Sequence, residues 1–267
     1  MNRRVWVFVS LALALSASGQ AQQDASDEAA AAMPVARILT AVASAPGAGG
    51  SYFRTSVQLF NQYSAAISGR LVFHRSGNPA SSDDPGMNFT ILARETLSFP
   101  DILEEMGLSG LGTLDIQMPN ASSSPIVVAR VFNDAGEDGT SGFTEDVISP
   151  SDTGALGRVL TVGTSGYLIL PPDTEAFRFN LGIRTLSVGG WVQFVVYDAH
   201  GNQVADVAKT LAGYTFVQTE ASGFLGVELP PGGSIRVRPT AGSVIVYGAT
   251  VDNITQDPSI QFARGGS

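Results

Sequence analysis

The chain repeats itself, and a repeat at this spacing restricts the fold more than any other feature of the sequence. Ala36-Arg37-Ile38-Leu39-Thr40 is echoed by Gly157-Arg158-Val159-Leu160-Thr161, 121 residues later. Phe53-Arg54 is echoed by Phe177-Arg178 at 124, and that spacing holds without a gap to Gly77-Asn78 and Gly201-Asn202. It pairs Val57 with Leu181, Leu59 with Ile183, Ile67 with Trp191 and Phe73 with Tyr197. Val127–Val131 matches Tyr247–Val251 at 120. Three matches in one order at nearly one spacing point to two copies of one unit, each obliged to bury its own core.

The local pattern says what that unit is made of. From Pro34 on, short runs rich in Val, Ile, Leu, Phe and Thr alternate with clusters of Gly, Ser, Pro, Asn and Asp. This is the signature of strands and turns in sandwiches or barrels. Strands alternate their side chains between faces. Val57 and Leu59, with Leu181 and Ile183, therefore belong to a core, and Arg54, Arg178 and Asn180 to solvent or an interface. Pro100–Leu108 breaks the pattern, and Asp101 followed by Ile102-Leu103-Glu104-Glu105 and Gly107 reads as a short helix near 100–107. The expected fold is all-β: two tandem β-sandwich-like lobes, 34–148 and 157–264, with a polar linker at 149–156. A single sandwich interleaving both halves is the alternative.

The N-terminus has the order of a secretory signal: Arg3 and Arg4, an apolar run from Val5 to Leu15, then small or polar residues to Ala21. Residues 1–21 are expected to be cleaved, and 22–33, acidic and Ala/Gln-rich, to form a disordered leader. No later apolar run reaches the roughly 20 residues of a membrane helix. Loss of Arg3 and Arg4 takes the formal charge from −9 to −11. With Lys209 the one lysine, the chain is a poor partner for nucleic acid. It has no Cys, so a core rather than disulfides must hold it.

Three phrases carry a resemblance. Gly47–Asn61 reads GAGGS, two aromatics, then RT-x-V-x-L-x-N; Phe99–Leu114 reads FPD-I-L through GLG-x-L; Val251–Pro258 reads VDN-x-T-x-DP. In these the chain resembles a group of uncharacterised secreted proteins of environmental, mostly GC-rich bacteria. The resemblance spans about Pro34 to Ala263. It implies a duplicated β-rich fold and export, and brings no activity and no functional residues with it.

Chemistry is sparse. His74 and His200 are the two histidines, too few for a zinc site without Cys. Gly139-Thr140-Ser141-Gly142 and Gly163-Thr164-Ser165-Gly166 look like protease nucleophile segments, but a triad needs a base and a carboxylate in reach. Asp152-Thr153-Gly154 looks like half of an aspartic dyad with no second triplet. Both serine strings and the triplet are expected in turns. Catalytic residues and an organic cofactor are therefore expected to be absent. Asp134, Glu137, Asp138, Asp252 and Asp257 lie in oxygen-rich loops and are the weak calcium candidates, although Asp and Asn also make turns for backbone reasons. Trp191, Tyr197, Tyr214 and Phe216 suit a sugar platform, yet the match of Trp191 to Ile67 points to packing. The expected function is an exported, non-enzymatic structural or adhesive β-sandwich protein, secreted, periplasmic or at the cell surface. Its partner would be an extracellular protein or polysaccharide. A carbohydrate-binding module and a secreted hydrolase are the alternatives.

Overall fold

A computed structural model describes residues 33–154 and 156–266. The signal segment and nearly all of the leader lie outside the described residues. From Pro34 on the chain forms one compact unit, all-β and sandwich-like. The first half runs β1 (Val35–Pro46), β2 (Tyr52–Phe60), β3 (Ile67–Arg75), β4 (Gly86–Ile91), β5 (Thr96–Phe99), helix α1 (Ile102–Glu105), β6 (Gly110–Gln117), β7 (Ile126–Asp134) and β8 (Thr140–Glu145). Its ladders are antiparallel, in the order β4-β3-β6-β1 and β1-β2-β7-β8, with β5 also on β2. The end of β1 crosses from one sheet to the other, pairing Ala45 with Phe53 and Pro46 with Tyr52.

The second half runs β9 (Val159–Thr161), β10 (Ser165–Ile169), β11 (Phe177–Thr185), β12 (Gly189–Tyr197), β13 (Gln203–Ala212), β14 (Phe216–Glu220), helix α2 (Ala221–Leu225), β15 (Ser234–Ala241), β16 (Ser243–Asp252), β17 (Pro258–Phe262) and β18 (Arg264–Gly266). One sheet is β13-β12-β15-β10-β18 and the other β14-β11-β16-β17, with β9 on β16. The pairings β2 with β5 and β7, β3 with β4 and β6, β1 with β6, and β7 with β8 have counterparts in β11 with β14 and β16, β12 with β13 and β15, β10 with β15, and β16 with β17. Each ladder among the described residues draws its strands from one half. The isolated bridge Pro79↔Thr215 crosses between them.

Each half has its own core. Val57, Leu59, Leu71, Phe73, Leu114 and Ile116 fill the first, closed by Ile102 and Leu103 of α1. Leu181, Ile183, Phe194, Val196, Ile235 and Val246 fill the second, closed by Ala221 and Leu225 of α2. Two further apolar clusters join the halves. Ala41 and Val131 meet Phe216, Tyr247 and Ala249; Ile38 and Ile148 meet Val159 and Ile245. The sheet β14-β11-β16-β17 is therefore buried on both faces. Gly182 opposite Tyr247 makes this possible, because a Cβ at 182 would come within 2.0 Å of the Tyr247 ring.

Several sequence expectations need correction. The unbroken spacing of 124 fails after β2, because residues 61–66 separate β2 from β3 while 186–188 separate β11 from β12. Phe73 points into its core, but on β12 the inward residues are Val192, Phe194 and Val196, so Tyr197 faces outward. A one-residue slip reverses every face. The same slip occurs late in the repeat: Val57 lies opposite Ala129, whereas Leu181 lies opposite Gly248 rather than Ala249. Ala129 enters a core and Ala249 the joint between halves. The chain from Arg158 to Leu170 turns at Gly163 (φ 91°) and feeds two sheets. Ser141, expected in a turn, lies within β8, and Ser165 opens β10.

Candidate functional site

The acidic candidates sit apart. Asp134 Oδ2 accepts from Arg54 Nε at 3.0 Å and its Oδ1 from Gly136 N at 3.1 Å. Glu137 and Asp138 lie on the exposed turn that follows. Asp252 Oδ1 accepts from the amides of Ile254 and Thr255 at 2.8 and 2.7 Å, which holds its carboxyl below the usual carboxylate range. Asp257 is exposed in the same turn. Among the described residues no three His or acidic groups gather as metal ligands. Asp152 accepts from Arg158 Nε at 2.6 Å. Neither Ser141 nor Ser165 hydrogen-bonds a histidine: His74 is occupied by two carboxylates, and His200 is exposed in a turn built on Asp198.

Two buried polar arrangements went unread in the sequence. The register of β1 against β6 shifts between Leu39 and Val42, which leaves the amides of Thr40 and Ala41 without a ladder partner. Glu145 supplies one: its Oε1 accepts from Thr40 N at 2.5 Å, Thr40 Oγ1 at 2.7 Å and Ala41 N at 3.0 Å. Its Oε2 has no hydrogen-bond partner. Burial raises the Glu145 carboxyl to about pH 7, against the pull of the Thr40 and Ala41 donors. The second arrangement joins the halves. His74 Nδ1 lies 2.5 Å from Asp84, and its Nε2 lies 2.9 Å from Asp115, which also accepts from Arg184 Nη2 at 3.2 Å. Burial pulls the His74 pKa down, but the carboxylates outweigh it and the net shift is upward. A neutral imidazole has one N–H, so only the cation donates to both acids.

Two surfaces stand out by the side chains they present. One is the outer face of β13-β12-β15-β10-β18. Because Val192, Phe194, Leu168 and Ile235 turn inward, Trp191, Gln193 and Tyr197 of β12 turn outward with Tyr167 and Ile169 of β10 and Arg236 and Arg238 of β15. Trp191 is 62% exposed and Tyr167 49%. The core position expected for Trp191 is thus corrected: the shorter β11–β12 loop shifts the register and sends the indole to solvent. Gln193 Nε2 donates to both Asp206 oxygens at 2.9 Å, which orients a polar pair beside it. Phe216, by contrast, is fully buried. The other surface is a cleft of about 230 Å³ between the halves, lined by Ala41, Ala43, Ala45, Phe53 and Phe143 of the first and Tyr247 of the second.

A scan against protein-family models returns no match, and neither does a search of curated proteins. Among solved structures, the chain is similar to a lectin from Pleurotus ostreatus in complex with GalNAc, at 11% identity over 87% of this chain and 84% of that one, with a TM-score of 0.19. The apo form of the Pleurotus ostreatus lectin is similar at 11% identity over 85% and 74%, with a TM-score of 0.18. At those TM-scores the likeness decides neither topology nor ligand.

Proposed function

We propose that this is an exported, non-enzymatic adhesive protein of two duplicated β units, and that it binds an extracellular polysaccharide on the outer face of β13-β12-β15-β10-β18. The observation that carries the reading is the 62% exposure of Trp191 on the outer sheet face. A large aromatic left in water loses the burial that normally accounts for it. The apolar C–H face of a pyranose ring covers an indole, while ring hydroxyls are met by donors and acceptors around it. Arg236, Arg238, Gln193 and Asp206 stand on the same face in that role. Trp191 and Tyr197 are six residues apart on one strand, about 20 Å at the rise of a β-strand, which suits several sugars in a row. Export rests on the residue order of 1–21.

Affinity electrophoresis of the protein through gels containing a panel of neutral and acidic polysaccharides tests this. Retardation by at least one polysaccharide is expected, and Trp191→Ala should weaken it tenfold or more without changing the thermal midpoint. Unretarded migration through the whole panel, or a Trp191→Ala variant retarded like the parent, refutes the assignment.

A further inference from the structure

The repeat places two arginines in equivalent positions, and the two are treated differently. Arg54 on β2 and Arg178 on β11 follow matched phenylalanines, and each contacts a residue at the end of the neighbouring strand pair. Arg54 is surrounded by acids: Asp101 at 3.0 Å, Glu104 at 2.9 Å and Asp134 at 3.0 Å. Two of those positions are altered around Arg178. The ladder that sets Arg54 opposite Phe132 sets Arg178 opposite Val251, so Asn253 stands where Asp134 stands. Arg178 donates to Asn253 Oδ1 at 3.3 Å and to Gln256 Oε1 at 2.7 Å, both neutral acceptors. Asp101, which caps α1, corresponds to Glu220, which caps α2. Glu220 directs its carboxylate to the Ser222 amide and hydroxyl and to the Gly223 amide. Among the described residues no carboxylate lies within ion-pairing distance of Arg178.

The unneutralised guanidinium stands at an apolar opening. Arg178 lines the 230 Å³ cleft together with Ala41, Ala43, Ala45, Phe53 and Tyr247. Burial lowers its pKa, with no acid offsetting the effect. The group is also held in place. Gln256, its hydrogen-bond partner, is buried with a positive φ of 60°, an uncommon conformation for a residue with a side chain. Gly49 of the first half lies against it, since a Cβ at 49 would come 3.0 Å from Gln256 Nε2. The GAGGS loop and the VDN-x-T-x-DP turn thus meet at the mouth of the cleft, and Leu111 of the GLG segment lines it. Three phrases far apart in sequence close on one place.

We infer that this cleft is a binding site for a small amphipathic carboxylate, whose apolar body lies on Ala41, Ala43 and Ala45 and whose carboxylate pairs with Arg178. The volume exceeds the 150 Å³ or so of an apolar cavity that takes a benzene ring, so a short acyl chain or a single ring fits. An arginine meets a carboxylate with two parallel N–H donors, and the partial desolvation of Arg178 strengthens that pairing over one in open water.

Sodium octanoate and 1-octanol, titrated by calorimetry into the exported chain, separate the charged from the apolar contribution. Octanoate should saturate one site per chain and bind at least tenfold more tightly than octanol. Arg178→Gln should remove that preference, and Ala45→Leu, at the half-buried edge of the floor, should weaken both probes. Arg54→Gln should leave octanoate binding within twofold. Absence of saturable octanoate binding, or an Arg178→Gln variant that binds octanoate as the parent does, overturns the site. If Arg178→Gln does not fold, the parent protein decides: equal affinity for the two probes overturns the pairing.

Discussion

A single carboxylate at position 145 takes over from a broken ladder. Two adjacent amides in the β1 bulge need acceptors, and burying them unpaired would cost about 1–3 kcal/mol each. Glu145 satisfies both but is itself fully enclosed, and its pKa of about 7 against 4.5 for the free side chain records the penalty on its charge. A raised folded-state pKa means the native chain holds a proton that the unfolded chain has released. The contribution of Glu145 is then complete below about pH 4.5 and is lost as pH rises toward 7, about 3 kcal/mol over the window. Glu145→Gln keeps an acceptor for the bulge and has no proton to lose, so its stability should be flat between pH 4.5 and 6.5. Urea unfolding at pH 4.5, 5.5 and 6.5 measures this, and an unchanged slope refutes it. His74 acts with the same sign, since its pKa is also raised: its contribution is full below 6.5 and lost as pH rises through the higher folded value. Any decline left in the Glu145→Gln variant should therefore lie above pH 6.5.

At the level of strands, the alternation of side chains was legible and the register was not. Val57, Leu59, Leu181 and Ile183 are all fully or almost fully buried, as their spacing requires. The helix at 102–105 was equally readable, because Asp101 is a strong cap and Gly107 adopts φ 69° beyond its end. Its counterpart at 221–225 was hidden, since Glu220 is an unusual cap and Ser222 and Gly223 look like a turn. Strand β8 was hidden for a related reason: Thr140-Ser141-Gly142 has the composition of a loop, and its neighbours on β7 decide its conformation. Trp191 faces solvent rather than the core because loop lengths set register, and the connection at 186–188 is shorter than that at 61–66. The face of Arg178 follows from alternation, but its lack of an acid partner depends on Asn253 and Gln256, far away in sequence. The pairing of β11 with β16 gives a direct check. Gly182→Ala drives a methyl into the Tyr247 ring, and it should destabilise the protein by about 1–3 kcal/mol in chemical denaturation. An unchanged midpoint would mean that the two strands pair in another register.

Considered whole, the protein has two cores and a joint that is itself a third place of burial. Clusters around Tyr247 and Ile245 take residues from both halves, and the His74–Asp115–Arg184 network crosses between them. Unfolding one half would strip these groups from the other, so calorimetry should show one cooperative transition, with calorimetric and van't Hoff enthalpies equal. Two resolved transitions would show the joint to be weak. The doubly covered sheet β14-β11-β16-β17 also bears on how such a chain can be rearranged over time. A unit with one apolar face can be copied into a new gene and fold there alone. The second half cannot travel that way, because Phe216, Tyr247 and Ile245 would arrive uncovered and associate with whatever lay nearby. Recombination at 149–156 is therefore expected to yield an aggregating product.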